Sequence, residues 1–204
     1  HLELQRYFGV DQPLNPASAP AIWKKVNDCL ARPEYYPVQL LRQMDVRILC
    51  TTDDPVSTLA DHIRLRGQTG ELRVVPASRP DRFTRLMHPD YPRIVAELAA
   101  ALQPAGQSIA TLDDLAEALR QRAQHFHSQG CRLSDHALDT MPVRPESRAA
   151  AGQLFQKRLS GQMLTPDEVA QVQFVILTDL AAIYNELGWT MQLHIGALRN
   201  TSRQ

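Results

Sequence analysis

Short apolar runs alternate along this chain with longer stretches whose apolar positions recur every three or four residues, the two periods that distinguish buried strands from amphipathic helices. Ser18 to Leu30 predicts a helix with Pro20 in its first turn and Ile22, Val26, Cys29 and Leu30 on one stripe. Val38 to Met44 predicts a shorter helix leading into a strand over Val46 to Cys50, and His1 to Leu4 reads as the end of an earlier strand. Asp54 and Pro55 are a good N-cap and first helical residue, so Val56 to Leu65 is expected to run back as a helix. Leu72 to Val75 is the next strand, followed by helices over Tyr91 to Leu102 and Thr111 to Ser128. A strand over Cys131 to Ser134 ends in Asp135 and His136; helices over Ser147 to Leu159 and Thr165 to Leu187 precede the last strand, Met191 to Leu193, which ends in His194. Thr111 with Asp114, and Thr165 with Glu168 and Pro166, carry the spacing of capping boxes.

Short strands alternating with helices argue for parallel strands joined by helical crossovers. When such a sheet closes into a barrel, the C-terminal ends of its strands open on one mouth, where ligands bind. The four strand ends carry Asp53 and Asp54, then Ser78, Arg79 and Arg82, then Asp135 and His136, then His194 and Arg199. Those carboxylates, imidazoles and guanidiniums make a plausible polar site. Asp54 is already explained as a cap, and Arg82 reads as a solvated helix residue. His125 and His127 stand two apart on a helix and so point to different faces, a poor metal pair. His62 and His88 read as solvated, while Phe174, Ile176, Leu177 and Tyr184 read as core packing.

Composition narrows the partners. The 204 residues balance 22 basic against 22 acidic side chains, and no Lys/Arg block runs along a helix, so nothing points to nucleic acid or to a membrane surface. An anionic substrate would have to meet locally placed arginines. Three widely spaced cysteines, Cys29, Cys50 and Cys131, fit a reduced cytoplasmic protein. The chain starts without Met and stops a few residues past its last motif, and the expectation is an excerpt of a longer polypeptide.

In order along the chain, TTDDPVSTLADH (Thr51 to His62), VVPASRPDR (Val74 to Arg82), CRLSDHALDT (Cys131 to Thr140) and MQLHIGALRN (Met191 to Asn200) resemble the uronate isomerases, also called glucuronate isomerases, of the amidohydrolase superfamily. The opening HLELQRYFGV is similar to a segment that ends an earlier barrel strand there. The resemblance implies an α/β fold that is a portion of a (β/α)8 TIM-type barrel, with parallel strands and extra helices inserted in the crossovers. Residues 1–204 would be the central part of one barrel domain, about strands 2 to 6 of it, with helical insertions around 91–128 and 147–187.

The same resemblance implies an aldose-ketose isomerase that interconverts D-glucuronate with D-fructuronate, and D-galacturonate with D-tagaturonate, using a divalent metal, with zinc as the expected ion. Asp135 and His194 match catalytic positions, Arg79, Arg199 and Asp135 match substrate-binding positions, and His194 also matches the metal centre. Position 78 is Ser where relatives often carry Trp, and the family's His-x-His pair and last-strand Asp have no counterpart here. The partner implied is a uronate sugar, with a homo-oligomer left open, and the isolated chain is expected to be inactive. Two other readings stand beside this one: a metal-dependent hydrolase of the same superfamily, and a non-catalytic barrel fragment that acts in assembly.

Overall fold

The computed structural model describes residues 1–102, 107–139 and 141–197. They divide into two compact units, one of His1–Leu49 with Leu65–Val74, the other of Cys50–Arg64 with Val75–Gln204.

The first unit is helical. Helix α1 is Leu2–Phe8, where a strand end was expected. Its sequence favours the helix: Leu, Glu, Gln and Arg are good helix formers, and Gly9 ends it at φ 60, the left-handed cap that glycine takes without a Cβ penalty. Helix α2, Ala19–Leu30, starts after Ser18 and buries Ile22 and Cys29 of the expected stripe. Leu30 stays 42% exposed, so the buried face is narrower than the pattern suggested. A turn of 3₁₀ helix at Pro33–Tyr35 precedes α3, Pro37–Gln43. Phe8 stacks on Tyr35 with centroids 5.5 Å apart, and Lys25 Nζ donates to the Gly9 carbonyl at 2.6 Å.

The sheet, most of it in the second unit, has the order β1 (Ile48–Asp53), β2 (Arg73–Ser78), β3 (Leu133–Leu138), β4 (Thr190–Ile195). The β2–β3 and β3–β4 pairs are parallel. Sequential strands that are also spatial neighbours, with helices between them, make this an α/β portion of a TIM-type barrel. Helices α4 (Ala60–Leu65), α5 (Asp81–Thr84), α6 (Tyr91–Ala100), α7 (Leu112–Ser128), α8 (Arg148–Leu159) and α9 (Pro166–Leu187) fill the connections. Both expected capping boxes form, Thr111 with Asp114 and Thr165 with Glu168, and Gly188 closes α9 at φ 66. Helix α9 packs on both α7 and α8. The core between them includes Phe83, Tyr91, Phe126, Phe155, Val172 and Ile183, all at most 1% exposed. Ile176 and Tyr184 are buried there as expected, Leu177 is buried outside that cluster, and Phe174, also expected in the core, is only partly buried. No helix among the described residues is long and apolar enough to cross a membrane.

Two departures from the sequence reading matter for the site. The helix expected from Val56 starts only at Ala60. Asp54 does cap, but it caps a turn, accepting from Val56 N–H at 3.0 Å, while Ser57 Oγ accepts from Leu59 N–H at 3.1 Å. Arg122 of α7 then takes the Pro55 and Ser57 carbonyls at 2.6 and 2.7 Å, which a helix would have used for its own ladder. Leu59, 2% exposed, is held at a left-handed φ of 56 by this packing. Burial in turn disfavours the charge of Arg122 and lowers its pKa.

The strands also extend further than their apolar runs. β1 continues through Asp53, β2 through Ser78 and β3 through Leu138, so Asp53, Asp135 and His136 lie within strands rather than after them. Strand period then decides their fates.

Candidate active site

Successive residues of a strand face opposite sides of the sheet. In β3, Ser134, His136 and Leu138 are buried while Leu133, Asp135 and Ala137 are only partly so. His136 therefore points into the helical layer: it is 1% exposed, its Nε2 lies 3.0 Å from Ser134 Oγ, and its ring contacts Tyr184 of α9 at 5.7 Å. Burial pushes its pKa down from 6.5 to about 4, with Arg79 adding to the effect and Asp81 and Asp135 opposing it. His136 is thus a neutral packing residue, and the expected pairing of Asp135 with His136 at one mouth does not form.

Asp135 faces the other side. The β3–β4 register pairs Asp135 with Gln192 and Ala137 with His194, which places His194 on the same face one step along. His194 Nδ1 lies 2.7 Å from Asp135 Oδ1. The approach is close but not aligned as a hydrogen bond, and Oδ1 accepts none from the protein although it is buried. The imidazole is half exposed, with Nε2 3.3 Å from Gln192 Nε2.

Arg79 follows the last residue of β2. Ser78 is in register with Ser134, so the next residue falls on the Asp135 side. Arg79 N–H donates to the Asp53 carbonyl at 2.8 Å, its Nε donates to Asp81 Oδ2 at 2.8 Å, and Nη1 lies 3.5 Å from Asp135 Oδ2. The hydrogen bond to Asp81 is the main cause of a raised guanidinium pKa, which keeps the cation fixed. Arg79, Asp135 and His194 thus share one face at the C-terminal ends of three adjacent strands.

The remaining candidates do other work. Asp53 turns toward α4, where Thr51 Oγ1 donates to its Oδ2 at 2.5 Å and contacts His62 Nε2 at 2.7 Å. His62 is consequently not solvated; its side chain is 10% exposed and lies 3.7 Å from Asp53. Arg82 bridges Asp54, at 3.2 Å, and Glu97, so it is a tether between β1, α5 and α6 rather than a free surface cation. His127 accepts from Trp189 Nε1 at 3.0 Å, and His125 lies 3.4 Å from the Thr58 carbonyl, on separate faces of α7. Ser78 is 4% exposed and faces the helices. Arg199 lies outside the described residues.

Sequence reasoning missed Asp81. It stands two residues after Arg79 in a helix of one turn that no periodicity reveals, and the only signal was an acid close behind a candidate arginine.

A four-stranded parallel section of a barrel with an arginine, an aspartate and a histidine gathered at its strand ends has the architecture of the TIM-barrel enzyme class. The glucuronate isomerase family model matches residues 1–204, and this chain belongs to that family. It is 41% identical over 203 residues to a uronate isomerase of Caldicellulosiruptor saccharolyticus. The crystal structure of uronate isomerase from Thermotoga maritima superposes with a TM-score of 0.89 at 35% identity, covering 98% of this chain and 43% of that one. Glucuronate isomerase from Caulobacter crescentus gives 0.85 at 27% identity, covering 98% and 41%. The chain spans 43% of the length of the Caldicellulosiruptor relative.

Proposed function

We propose that these residues are the central part of a uronate isomerase barrel, about its strands 2 to 6, and that the protein carrying them interconverts D-glucuronate and D-fructuronate, with D-galacturonate and D-tagaturonate as a second pair. The observation that carries this reading is the Arg79–Asp135–His194 constellation on one sheet face, in a chain whose relatives bear the isomerase name. Those names give no support to the hydrolase reading.

A uronate presents a carboxylate at one end and an aldehyde beside a hydroxyl at the other. Arginine matches a carboxylate with two parallel donors, so Arg79, together with Arg199, supplies the grip. Isomerisation removes a proton from the carbon beside the aldehyde and returns it to the former aldehyde carbon through an enediol. Asp135 is the group here suited to orient the sugar hydroxyls or shuttle that proton, because its Oδ1 accepts no hydrogen bond from the protein.

The residues fit a divalent metal as a contribution, not as a complete centre. Among the described residues no group of three or more His, Cys, Asp or Glu converges. His194 fits as a single ligand, with Nδ1 2.7 Å from Asp135 Oδ1 and Nε2 on the other side of the ring. A divalent ion, zinc in this proposal, supplies positive charge against the oxygen charge that builds in the enediol step. A cytoplasmic location is part of the same reading. The test is turnover: the full-length protein, stripped of metal and reloaded, is expected to convert D-glucuronate to the ketose only when loaded. Hydrolysis of esters or amides with no uronate turnover would overturn it.

A further inference from the structure

The geometry points to Asp81 as the positioning residue that fixes the plane of the Arg79 guanidinium at the substrate face, an inference that rests on the isomerase reading above. Asp81 is 7% exposed and uses both carboxylate oxygens. Oδ2 accepts Arg79 Nε at 2.8 Å, and Oδ1 accepts the Ala137 backbone N–H at 3.1 Å. The second bond has a plain origin. The β2–β3 register reaches Ser78 with Ser134, and β2 ends there, so Ala137 further along β3 finds no β2 carbonyl opposite it. A part-buried N–H left without a ladder partner is met by the Asp81 side chain, from the residues just after β2.

One carboxylate therefore ties the arginine to the strand that carries Asp135. Holding Nε stops rotation of the guanidinium about its last bonds, keeps Nη1 3.5 Å from Asp135 Oδ2, and leaves Nη2 to meet substrate oxygens. The backbone is held as well, since Arg79 N–H meets the Asp53 carbonyl at 2.8 Å. Asp81 itself faces away from substrate and works only through Arg79. It stands to the arginine as a carboxylate stands to a metal-bound histidine, in an outer layer that sets orientation.

The test compares Asp81→Asn, Arg79→Lys and the double variant in the full-length protein. Asparagine keeps the volume and a carbonyl for Ala137 N–H but loses the acceptor that faces Nε. Asp81→Asn is expected to lower kcat/KM for D-glucuronate by about 10- to 100-fold, while adding less than ~3-fold to the loss in Arg79→Lys. Independent, multiplying losses would assign Asp81 to general stability and overturn the proposal. So would a folded Asp81→Asn within ~3-fold of the parent.

A second measurement needs neither turnover nor a stable Asp81 variant. In the ¹⁵N spectrum of the parent protein, the Arg79 Nε–H, identified by its loss in Arg79→Lys, is expected to exchange slowly with water. Exchange as fast as that of exposed arginines would overturn the anchoring. A parent that does not turn over uronates would overturn the isomerase reading instead, and the exchange result would still decide the anchoring.

Discussion

His194 Nδ1 and Asp135 Oδ1 approach to 2.7 Å across the β3–β4 seam because a two-residue offset in the parallel register leaves both side chains on one face. The two residues come from motifs almost sixty positions apart in the chain, and the sheet alone makes them neighbours. Asp135→Asn keeps the shape and removes the charge. It is expected to lower kcat for D-glucuronate by about 100-fold or more, with a melting temperature close to the parent's. A steady-state assay paired with a thermal melt checks this.

His194→Asn addresses the metal contribution. Loss of the proposed ligand is expected to weaken divalent-metal affinity by at least ~10- to 100-fold. Metal content after dialysis against a weak chelator is the readout, with partial recovery of activity at high added metal.

Arg158 of α8 is buried, 1% exposed, and donates to the carbonyls of Leu86, His88 and Pro89 at 2.7, 2.6 and 3.1 Å. Arg158→Met keeps much of the apolar stem but abandons these acceptors. The expected cost is about 2–4 kcal/mol of stability, read in a denaturant melt, with no change in the KM of whatever fraction remains folded.

His136 makes stability depend on pH. Its folded pKa of about 4 lies below the ordinary 6.5 because of burial, so between those values the unfolded chain binds the extra proton. Stability therefore falls as pH drops from 6.5 toward 4, and above 6.5 the contribution is absent. The full effect is at most about 3 kcal/mol. His136→Asn is expected to flatten that part of the pH–stability curve, whereas an unchanged slope would place the titration elsewhere.

The fold was legible where local chemistry agreed with tertiary structure. Thr111 with Asp114 and Thr165 with Glu168 announced α7 and α9, whose apolar stripes meet in the core. It was illegible where a distant residue decided the backbone. Nothing near Val56 shows that Arg122 will take the carbonyls of Pro55 and Ser57 and delay α4 to Ala60. The site was legible in its residue types, because Arg79, Asp135 and His194 stand in motif order. It was not legible in the sides they face. Apolar runs mark where a strand is buried, not where its hydrogen bonding ends: the run Cys131 to Ser134 stops before Asp135, whereas β3 continues to Leu138 and carries both Asp135 and His136. Period two, applied to the whole strand, separates them. Asp81 was hidden for a related reason: its value comes from where β2 stops opposite β3, which only pairing reveals.

The most direct measurement is the initial rate of ketose formation from D-glucuronate by the metal-loaded full-length protein, with Asp135→Asn run alongside. Metal-dependent turnover in the parent and its near loss in the variant are expected. Turnover that survives in a folded, metal-loaded Asp135→Asn at the parental rate, or no turnover in the parent at all, would contradict it.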